Sequence, residues 1–271
     1  MGVLAAFLKR HRRIAVLTGA GCSSGSGIPE YRDDDGNWKH RRPVQYGDFI
    51  GCADVRRRYW AQSFHGWHRI ADAAPNAAHA AITRLENAGR VAGIITQNVD
   101  DLHRRACSRN IVDLHGVLSR MRCLQCGTMT ARAEFQSLLE QHNPHWSVAV
   151  SRIGPDGDST LATEDFGRFD VPACQSCGGI LKPDVVFFGE SVPASRVVRA
   201  SEIVTGSDAL LVVGSSLMVF SGFRFARMAA AMGLPIAIVN RGVTRADGLA
   251  GFRLAGDCAM ILAAGVAALD A

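Results

Sequence analysis

Short apolar runs recur along the chain, and they constrain its fold more than any other sequence feature. They are four or five residues long, and most lack the polar alternation of a strand with one face in water. The runs are IAVLT (14–18), AGIIT (92–96), IVDL (111–114), DVVFF (184–188), ALLVV (209–213), IAIV (236–239) and CAMIL (258–262). Such runs are typical of parallel strands that are covered on both faces.

Helical segments separate several of these runs. Residues 77–88 follow Asn76, which suits the N-cap position, and they stop at Gly89. Residues 193–204 open with proline, and residues 222–232 end before a glycine. This alternation predicts an α/β fold with a doubly wound parallel sheet of the Rossmann-like kind. In this scheme CAMIL is a last strand, and a terminal helix follows it.

Two C-x-x-C pairs, each followed by glycine, form the most specific motif. Two such knuckles can place four thiolates tetrahedrally around one Zn²⁺, and the glycines allow the tight turns under the metal. The predicted metal ligands are Cys123, Cys126, Cys174 and Cys177. Four thiolates leave no position for a catalytic water, so we expect a structural zinc. The other cysteines, at positions 22, 52, 107 and 258, show no ligand spacing and are expected to be small buried residues.

Two stretches interrupt the alternation of strands and helices. One is rich in aromatic residues and arginines without a strand-like run, and the other carries the cysteine pairs and a polar segment with many turn formers. We predict that both are insertions that together form a smaller lobe. The predicted organisation is a Rossmann-like domain of residues 1–33, 76–118 and 182–271, a helical insertion of residues 34–75 and a zinc-binding insertion of residues 119–181.

Charge and hydropathy argue against several partners. The net charge is only +5, and the densest basic run, residues 9–13, follows an apolar segment as cations at a helix C-terminus do. Residues 56–69 mix arginines with aromatic residues, but we interpret them as helix surface and lobe packing, so direct nucleic-acid binding is not expected. No apolar run reaches the roughly 18 residues of a membrane span. Since the start also lacks a signal-peptide pattern, we expect a cytoplasmic protein without membrane partners.

The segment GAGCSSGSGIPEYR (19–32) follows the first predicted strand. Its backbone N–H groups can face a pyrophosphate, as in dinucleotide-binding loops. A dehydrogenase would carry a third glycine where Ser24 stands, and an acidic residue on a strand about 20 residues later to hold a ribose. That region reads NWKHRRP here, without an acid or a strand. The loop therefore predicts a dinucleotide site with chemistry other than hydride transfer.

The segment TQNVDDLH follows the AGIIT strand, at the strand end where α/β sheets bind ligands. Gln97, Asn98 and Asp100 offer hydrogen-bonding groups that suit a carboxamide ligand. A turn that caps the next helix would explain the same residues. His103 in this segment is a weaker candidate for a functional role.

Further polar residues follow other predicted strands. His115 lies at a strand end before glycine, which suits a general base near neutral pH, although a lone histidine is often structural. Gly214, Ser215 and Ser216 follow ALLVV, and Asn240 follows IAIV. Their small hydroxyls and amide are consistent with ribose and phosphate contacts, or simply with loop structure.

In this order, the segments resemble the sirtuin family of NAD-dependent protein deacylases. The matching segments are GAGCSSGSGIPEYR, TQNVDDLH, the histidine of DLHG, the two cysteine knuckles, KPDVVFFGE, GSSL and the late VN. They span residues 17 to about 260, nearly the whole chain. The long gap between the knuckles and the YGDF, RYW and PDGD segments are similar to the lineage of the mitochondrial lipoamidase-like sirtuins. The absence of a presequence is expected of a bacterial member.

The resemblance implies binding sites for NAD, one structural zinc ion and an acyl-lysine protein substrate. The residues implied to contact NAD are Gly19, Ala20, Gly21, Ser23, Ile28, Pro29, Arg32, Gln97, Asn98, Val99, Asp100, Gly214, Ser215, Ser216, Asn240, Arg241, Gly242 and Cys258. The implied catalytic residues are Asn98 and His115, with His115 as the general base. The substrate peptide would add as a strand, and its implied contacts are Val185, Val186, Phe187, Phe188, Gly189, Glu190 and Leu217.

The implied reaction breaks the glycosidic bond of NAD. Nicotinamide leaves, the acyl oxygen of lysine takes its place, and His115 deprotonates a ribose hydroxyl that attacks the acyl carbon. Water then completes the transfer, which gives lysine and O-acyl-ADP-ribose. The alternatives are protein mono-ADP-ribosylation on the same scaffold, and a zinc-ribbon module that binds NAD without cleaving it.

The sequence departs from the family pattern at two positions. Cys22 stands where a branched aliphatic residue is usual, which is consistent with a packing exchange or with a redox-sensitive thiol. Ser221 stands where many relatives carry proline, so the peptide groove is expected to differ. No tyrosine–arginine pair that would indicate an acidic acyl group is identified.

Overall fold

Eleven strands form from the residues that the structure, a computed structural model, describes: 2–39, 43–157, 159–163 and 165–269. Residues 40–42 of the NWKHRRP segment and Asp158 of the PDGD segment lie outside them. The strands are β1 (Ile14–Thr18), β2 (Val91–Thr96), β3 (Ile111–Asp113), β4 (Gly116–Cys123), β5 (Met129–Ala131), β6 (Val150–Ile153), β7 (Ser159–Leu161), β8 (Leu181–Val185), β9 (Ala209–Val213), β10 (Ile236–Val239) and β11 (Phe252–Leu254).

Six of these strands form a parallel sheet in the order β3-β2-β1-β9-β10-β11. The chain proceeds from β1 outward to β3, and later continues from β9 outward to β11 on the other side. The order therefore reverses between β1 and β9. In sheets of this type, ligands bind outside the carboxyl ends of the strands at this switch point. The predicted doubly wound α/β fold is confirmed.

Nine α-helices accompany the strands in the described part of the chain, and none of them is long and apolar enough to cross a membrane. The helices predicted at 77–88, 193–204 and 222–232 each lie within two residues of an observed one. The helices are α1 (Gly2–Arg10), α2 (Tyr46–Gly51), α3 (Ala53–Asp72), α4 (Ala77–Asn87), α5 (Leu102–Arg105), α6 (Arg132–His142), α7 (Ala194–Thr205), α8 (Phe220–Ala231) and α9 (Cys258–Ala267).

Apolar side chains alternate between the two faces of the main sheet. Ile14 and Val16 of β1 belong to the core that contains apolar residues of α1, α4 and α9. Ala15 and Leu17 belong to the core on the opposite face, with residues of α7 and α8. β1 is thus buried on both sides, as are β9 and β10, which explains why their sequences have no polar alternation.

A third core lies outside the main sheet. It surrounds Trp60 of α3 and Phe135 of α6, both almost fully buried, and it includes Leu181 of β8. The strands beside it are a small antiparallel sheet, β5-β4-β8, and the β6-β7 hairpin. Because this core draws residues from both predicted insertions, we propose that they form one lobe with the boundaries given above.

The prediction of a strand at residues 258–262 is wrong. CAMIL is the first part of α9, where the Asp257 carboxylate accepts a hydrogen bond from the Met260 N–H. A short apolar run is compatible with a buried strand and with a buried helix. The N-cap hydrogen bond of Asp257 favours the helix. The last strand is instead β11, which has only three residues and pairs with β10.

The strand predicted at DVVFF is shifted and belongs to another sheet. The observed strand β8 ends at Val185 and pairs antiparallel with β4. Phe187 and Phe188 continue as a loop beyond the strand. β4 itself, residues Gly116–Cys123, was not among the predicted strands because its sequence, GVLSRMRC, interrupts the apolar run with polar residues.

Candidate active site

A cleft of about 820 Å³ opens at the carboxyl ends of β1, β2 and β9. One wall is the glycine loop after β1, and the loop after β9 faces it. The segment after β8 and the start of α8 line the cleft as well. The sequence places the polar residues of these loops far apart, but the switch point of the sheet brings them together.

The glycines of the two loops permit a close backbone approach. The Gly21 N–H donates to the Gly214 carbonyl at 2.8 Å. A Cβ atom on Gly21 would lie 3.0 Å from the Cα of Gly214, and one on Gly214 would lie 2.1 Å from the backbone nitrogen of Cys22. Gly214 also has a φ of +60°, which favours glycine. Side chains at these positions would separate the loops, so the narrow cradle depends on glycine.

A chain of hydrogen bonds joins β2 to the glycine loop. The Asn98 side-chain amide donates to the Gly19 carbonyl and to Ser23 Oγ, both at 3.0 Å. Ser23 Oγ donates to the Asp100 carboxylate at 2.6 Å, and the Leu102 N–H donates to the same carboxylate at 2.9 Å. Burial raises the pKa of Asp100, while the bonds from Ser23 and Leu102 oppose that rise. These hydrogen bonds hold the glycine loop against the end of β2.

Gln97, directly after β2, connects the end of this strand to the loop after β9. Its amide donates to Ser215 Oγ at 2.7 Å and to the Thr18 carbonyl at 3.1 Å. Its side chain also lies against Gly222 of α8, where a Cβ atom would be 2.3 Å from Oε1. Gln97 therefore fixes the position of the α8 start relative to the sheet.

His115 lies in the cleft directly after β3. Its Nδ1 is 3.0 Å from the Gln97 carbonyl oxygen, and its Nε2 is 2.8 Å from Ser221 Oγ. Burial lowers the pKa of His115, the bond to Gln97 opposes this shift and the nearby positive charge of Arg196 adds to it, and together they bring the pKa to about 4. The ring is therefore neutral near pH 7. Because a carbonyl only accepts, Nδ1 carries the proton and Nε2 presents a lone pair.

The four predicted cysteine ligands meet at the end of β4. Cys123 Sγ lies 3.5 Å from Cys177 Sγ, and Cys126 Sγ lies 3.8 Å from Cys174 Sγ. All four sulfur atoms are within 4.8 Å of one another. A tetrahedral zinc ion with Zn–S bonds of about 2.3 Å separates its sulfurs by about 3.8 Å. The donor set thus fits one zinc ion, which has only a structural role because four sulfurs complete its coordination.

Cys22 lies beneath the glycine loop and beside two histidines. Its Sγ, His79 and His103 have possible ligand atoms within 4.8 Å of one another. The His79 Nδ1 accepts the Asn76 N–H at 3.2 Å, so the proton of the neutral ring is on Nε2. This tautomer is a donor rather than a metal ligand. Burial also raises the pKa of the Cys22 thiol, which favours the packing interpretation over a reactive thiolate.

Most residues implied by the resemblance line this cleft, but two do not. Pro29 and Cys258 are absent from its lining. The Cys258 thiol instead donates to the Val239 carbonyl at 3.4 Å inside the core, and burial raises its pKa to about 12. The NAD contacts of Pro29 and Cys258 stay predictions.

The cleft also includes residues that were not predicted. Tyr59 comes from α3, Asp156 from the zinc-binding insertion, and Arg224 from α8. Ser221 was noted only as a departure from the family pattern, but its contact with His115 makes it part of the site. Neither composition nor spacing could reveal that these residues share a cleft, since the segments that line it are distant from one another in the sequence.

Comparison with known proteins identifies the family. The family model described as Sir2 family matches residues 19–221. A protein of Bradyrhizobium diazoefficiens named NAD-dependent protein deacetylase 2 is 52% identical over 257 residues, which cover 95% of this chain and 94% of that protein. This chain belongs to the Sir2 family. The sirtuin resemblance seen in the sequence is thereby confirmed, while its finer lineage stays a prediction.

Other members of the Sir2 family agree with this assignment. An NAD-dependent protein deacetylase of Bordetella bronchiseptica is 50% identical over 260 residues, which cover 96% of this chain and 95% of that protein. A solved structure described as Sir2 with a p53 peptide and NAD⁺ has a TM-score of 0.79 and 27% identity, and the match covers 97% of this chain and 95% of that one. A structure concerned with the mechanism and regulation of Sir2 enzymes has a TM-score of 0.76 and 31% identity, with 98% and 96% covered.

Proposed function

We propose that this sirtuin is an NAD-dependent protein deacetylase that transfers the acetyl group of an acetyl-lysine to ADP-ribose. The observation that carries the proposal is a neutral histidine whose Nε2 lone pair, which accepts the Ser221 hydroxyl, faces a glycine-lined dinucleotide cleft. The deacetylase names of relatives about 50% identical over nearly the whole chain support it.

The residues present fit NAD. The glycine loop and Ser215 offer backbone and hydroxyl groups for the phosphates and riboses, and Arg32 lines the cleft as a cation. Asn98 and Asp100 would lie next to the nicotinamide half. When bound, NAD supplies a glycosidic carbon that becomes reactive toward the acyl oxygen as nicotinamide leaves. The chain's contribution is to orient this carbon and to exclude water from it.

His115 would act as the general base. Its Nε2 lone pair accepts the proton of a ribose hydroxyl, while the Gln97 carbonyl keeps the other proton on Nδ1 and fixes the ring plane. The low pKa of His115 keeps this lone pair available at neutral pH. A base of this kind is commonly worth about 10² to 10⁴ in rate.

The substrate peptide would bind between two segments that line the cleft. These are residues 185–190, at and after the end of β8, and residues 217–220, before and at the start of α8. A peptide inserted there would form a strand between two backbone segments. A solved Sir2 structure described as bound to an acetylated peptide supports this class of substrate.

Acyl groups other than acetyl are part of the proposal. A panel of lysine peptides with acetyl, longer fatty, lipoyl and branched acyl groups would measure this scope by NAD-dependent release. Release of lipoyl groups above all others would support the lipoamidase-like lineage. Preference for acetyl would restrict the proposal to deacetylation. A cytoplasmic location is proposed as well, and cell fractionation would test it.

Replacement of the base tests the reaction. We expect His115→Ala to lower the kcat of NAD-dependent deacetylation by at least about 10², with an unchanged zinc content and circular dichroism spectrum. His142→Ala, which changes an exposed histidine paired with Asp170, is the matched control and should retain full activity. Mass spectrometry of the wild-type products should show O-acetyl-ADP-ribose. Near-full activity of His115→Ala, or ADP-ribosylated protein as the main product, would overturn the proposal.

A further inference from the structure

The hydroxyl of Ser221 contacts the nitrogen of His115 that the proposed reaction uses. Ser221 is the second residue of α8, is half-buried, and lines the cleft beside His115. Its Oγ lies 2.8 Å from Nε2 of the ring, a normal hydrogen-bond distance. The two residues are 106 positions apart in the chain. Their contact therefore depends on the position of α8 against the sheet.

The direction of this hydrogen bond follows from the other side of the ring. The Gln97 carbonyl can only accept, so Nδ1 carries the single proton of the neutral imidazole. Nε2 is then an acceptor, and the Ser221 hydroxyl donates to it. Both ring nitrogens are thus held, and the ring cannot rotate without losing two hydrogen bonds.

Gln97 also positions the helical turn that carries Ser221. Gly222, the next residue, packs against the Gln97 side chain, where a Cβ atom would lie 2.3 Å from Oε1. The Gly222 N–H donates to the Val219 carbonyl at 3.2 Å, which closes the first turn. The backbone of Gln97 therefore orients one side of the His115 ring, and its side chain fixes the residue that holds the other side.

We propose that Ser221 is a positioning residue for His115: its hydroxyl holds Nε2 toward the cleft until a ribose hydroxyl takes over that lone pair. This inference rests on the proposed function. In the step itself, the proton of the ribose hydroxyl moves to Nε2, and Ser221 keeps its own proton and turns away. Ser221 is neither consumed nor charged, so it acts through the histidine.

Several charged groups lie near the His115 ring, and a substitution at Ser221 leaves them unchanged. Arg196 of α7 acts on His115 electrostatically and is paired with Asp184 of β8 at 3.0 Å. Arg224, one turn farther along α8, and Asp100 line the same cleft. A change measured in Ser221→Ala can therefore be assigned to the loss of the Ser221 hydroxyl.

The test compares Ser221→Ala with Ser221→Thr, which keeps a hydroxyl. Ser201→Ala is the matched control, because Ser201 lies on α7 outside the cleft and its Oγ donates to the Val197 carbonyl at 2.8 Å. Without the Ser221 hydroxyl only the contact at Nδ1 holds the ring, so Nε2 faces the cleft in a smaller fraction of the molecules. We therefore expect Ser221→Ala to lower kcat about three- to tenfold, the order of one lost neutral hydrogen bond, with KM for NAD and for the acetylated peptide within about twofold. Ser221→Thr should recover most of kcat, and Ser201→Ala should match the wild type.

A second measurement does not depend on activity. The ¹⁵N spectrum of the imidazole rings of the free protein, with His115 assigned from the His115→Ala spectrum, reports the state of Nε2. In Ser221→Ala this resonance should move toward the position of a lone pair without a hydrogen bond, and in Ser221→Thr it should not.

The two measurements separate this inference from the proposed function. An unchanged Nε2 resonance in Ser221→Ala, an unchanged kcat, or equal losses in the Ala and Thr variants would each overturn the positioning role, even if deacetylation is confirmed. If His115→Ala retains activity, the proposed function fails and the positioning role fails with it, while the resonance still reports whether the contact exists.

Discussion

The buried histidines below the glycine loop are expected to make the protein sensitive to acid. Burial lowers the pKa of His79 to about 4 and that of His103 to about 3. His79 Nε2 and His103 Nδ1 have no hydrogen-bond partner among the described residues. Their neighbours are Cys22, whose thiol stays protonated, and Thr18, whose hydroxyl lies 2.9 Å from His103 Nε2. No nearby carboxylate is paired with either ring in the described part of the chain, so protonation would bury a charge.

The magnitude follows from the linkage between proton binding and folding. In the unfolded chain both histidines titrate near pH 6.5, so they take up protons as the pH falls below that value, whereas the folded protein does not until about pH 4. Both histidines have a lower pKa in the folded protein than in the unfolded chain. The stability that the two neutral rings contribute is therefore fully present above pH 6.5 and is lost as the pH falls. Between pH 6.5 and 5.0 each histidine lowers the free energy of unfolding by about 1.6 kcal/mol, and together they lower it by about 3 kcal/mol.

Denaturant unfolding at pH 6.5 and 5.0, with zinc in excess, measures this loss. His79→Gln and His103→Gln keep a hydrogen-bonding side chain without a titratable group, and glutamine suits the N3 position that His79 occupies in α4. Each variant should lose about 1.6 kcal/mol less than the wild type between the two pH values. His68→Gln, at an exposed histidine, is the control and should behave like the wild type. A difference below about 0.5 kcal/mol in both variants would refute the reasoning, because buried histidines must titrate differently in the two states.

Two further predictions concern the cradle and the metal. Gly214→Ala should weaken NAD binding in calorimetry and cost roughly 1–3 kcal/mol or more of stability, whereas Gly233→Ala, also at positive φ but with free space around it, should cost less and leave NAD affinity unchanged. Equal losses would contradict the clash with Cys22. Metal analysis should find one zinc per chain, and Cys177→Ser should lower that content below half. Absence of zinc after zinc-replete purification would contradict the four-thiolate site.

Local signals in the sequence were sufficient for the fold class. Strands buried on both faces, such as β1 and β9, are apolar throughout, and the helix at residues 77–87 begins with a residue suited to the N-cap. Zinc binding could be predicted equally well, because each cysteine pair lies in a local turn that ends in a glycine at positive φ, Gly127 or Gly178. These features depend on neighbours within a few residues.

The sequence did not show which sheet a strand joins, or whether a short apolar run forms a strand or a helix. The run at 258–262 became a helix because the Asp257 cap outweighed its strand-like composition. The run at 184–188 could not reveal that β8 pairs with β4 rather than with the main sheet, since apolar residues suit either sheet. Here the partner strand decides, and the partner is chosen by tertiary packing.

The sequence by itself determined the α/β alternation, the four metal ligands and the identity of the candidate base, because each is encoded in short motifs. Only the tertiary structure decided that Ser221 contacts His115, that Gln97 supports both, and that the Cys258 thiol donates to the Val239 carbonyl. The physical reason is that these contacts join residues that lie far apart in the chain but close together in space. The shape of the packed sheet and helices, rather than any local pattern, brings them within hydrogen-bond distance.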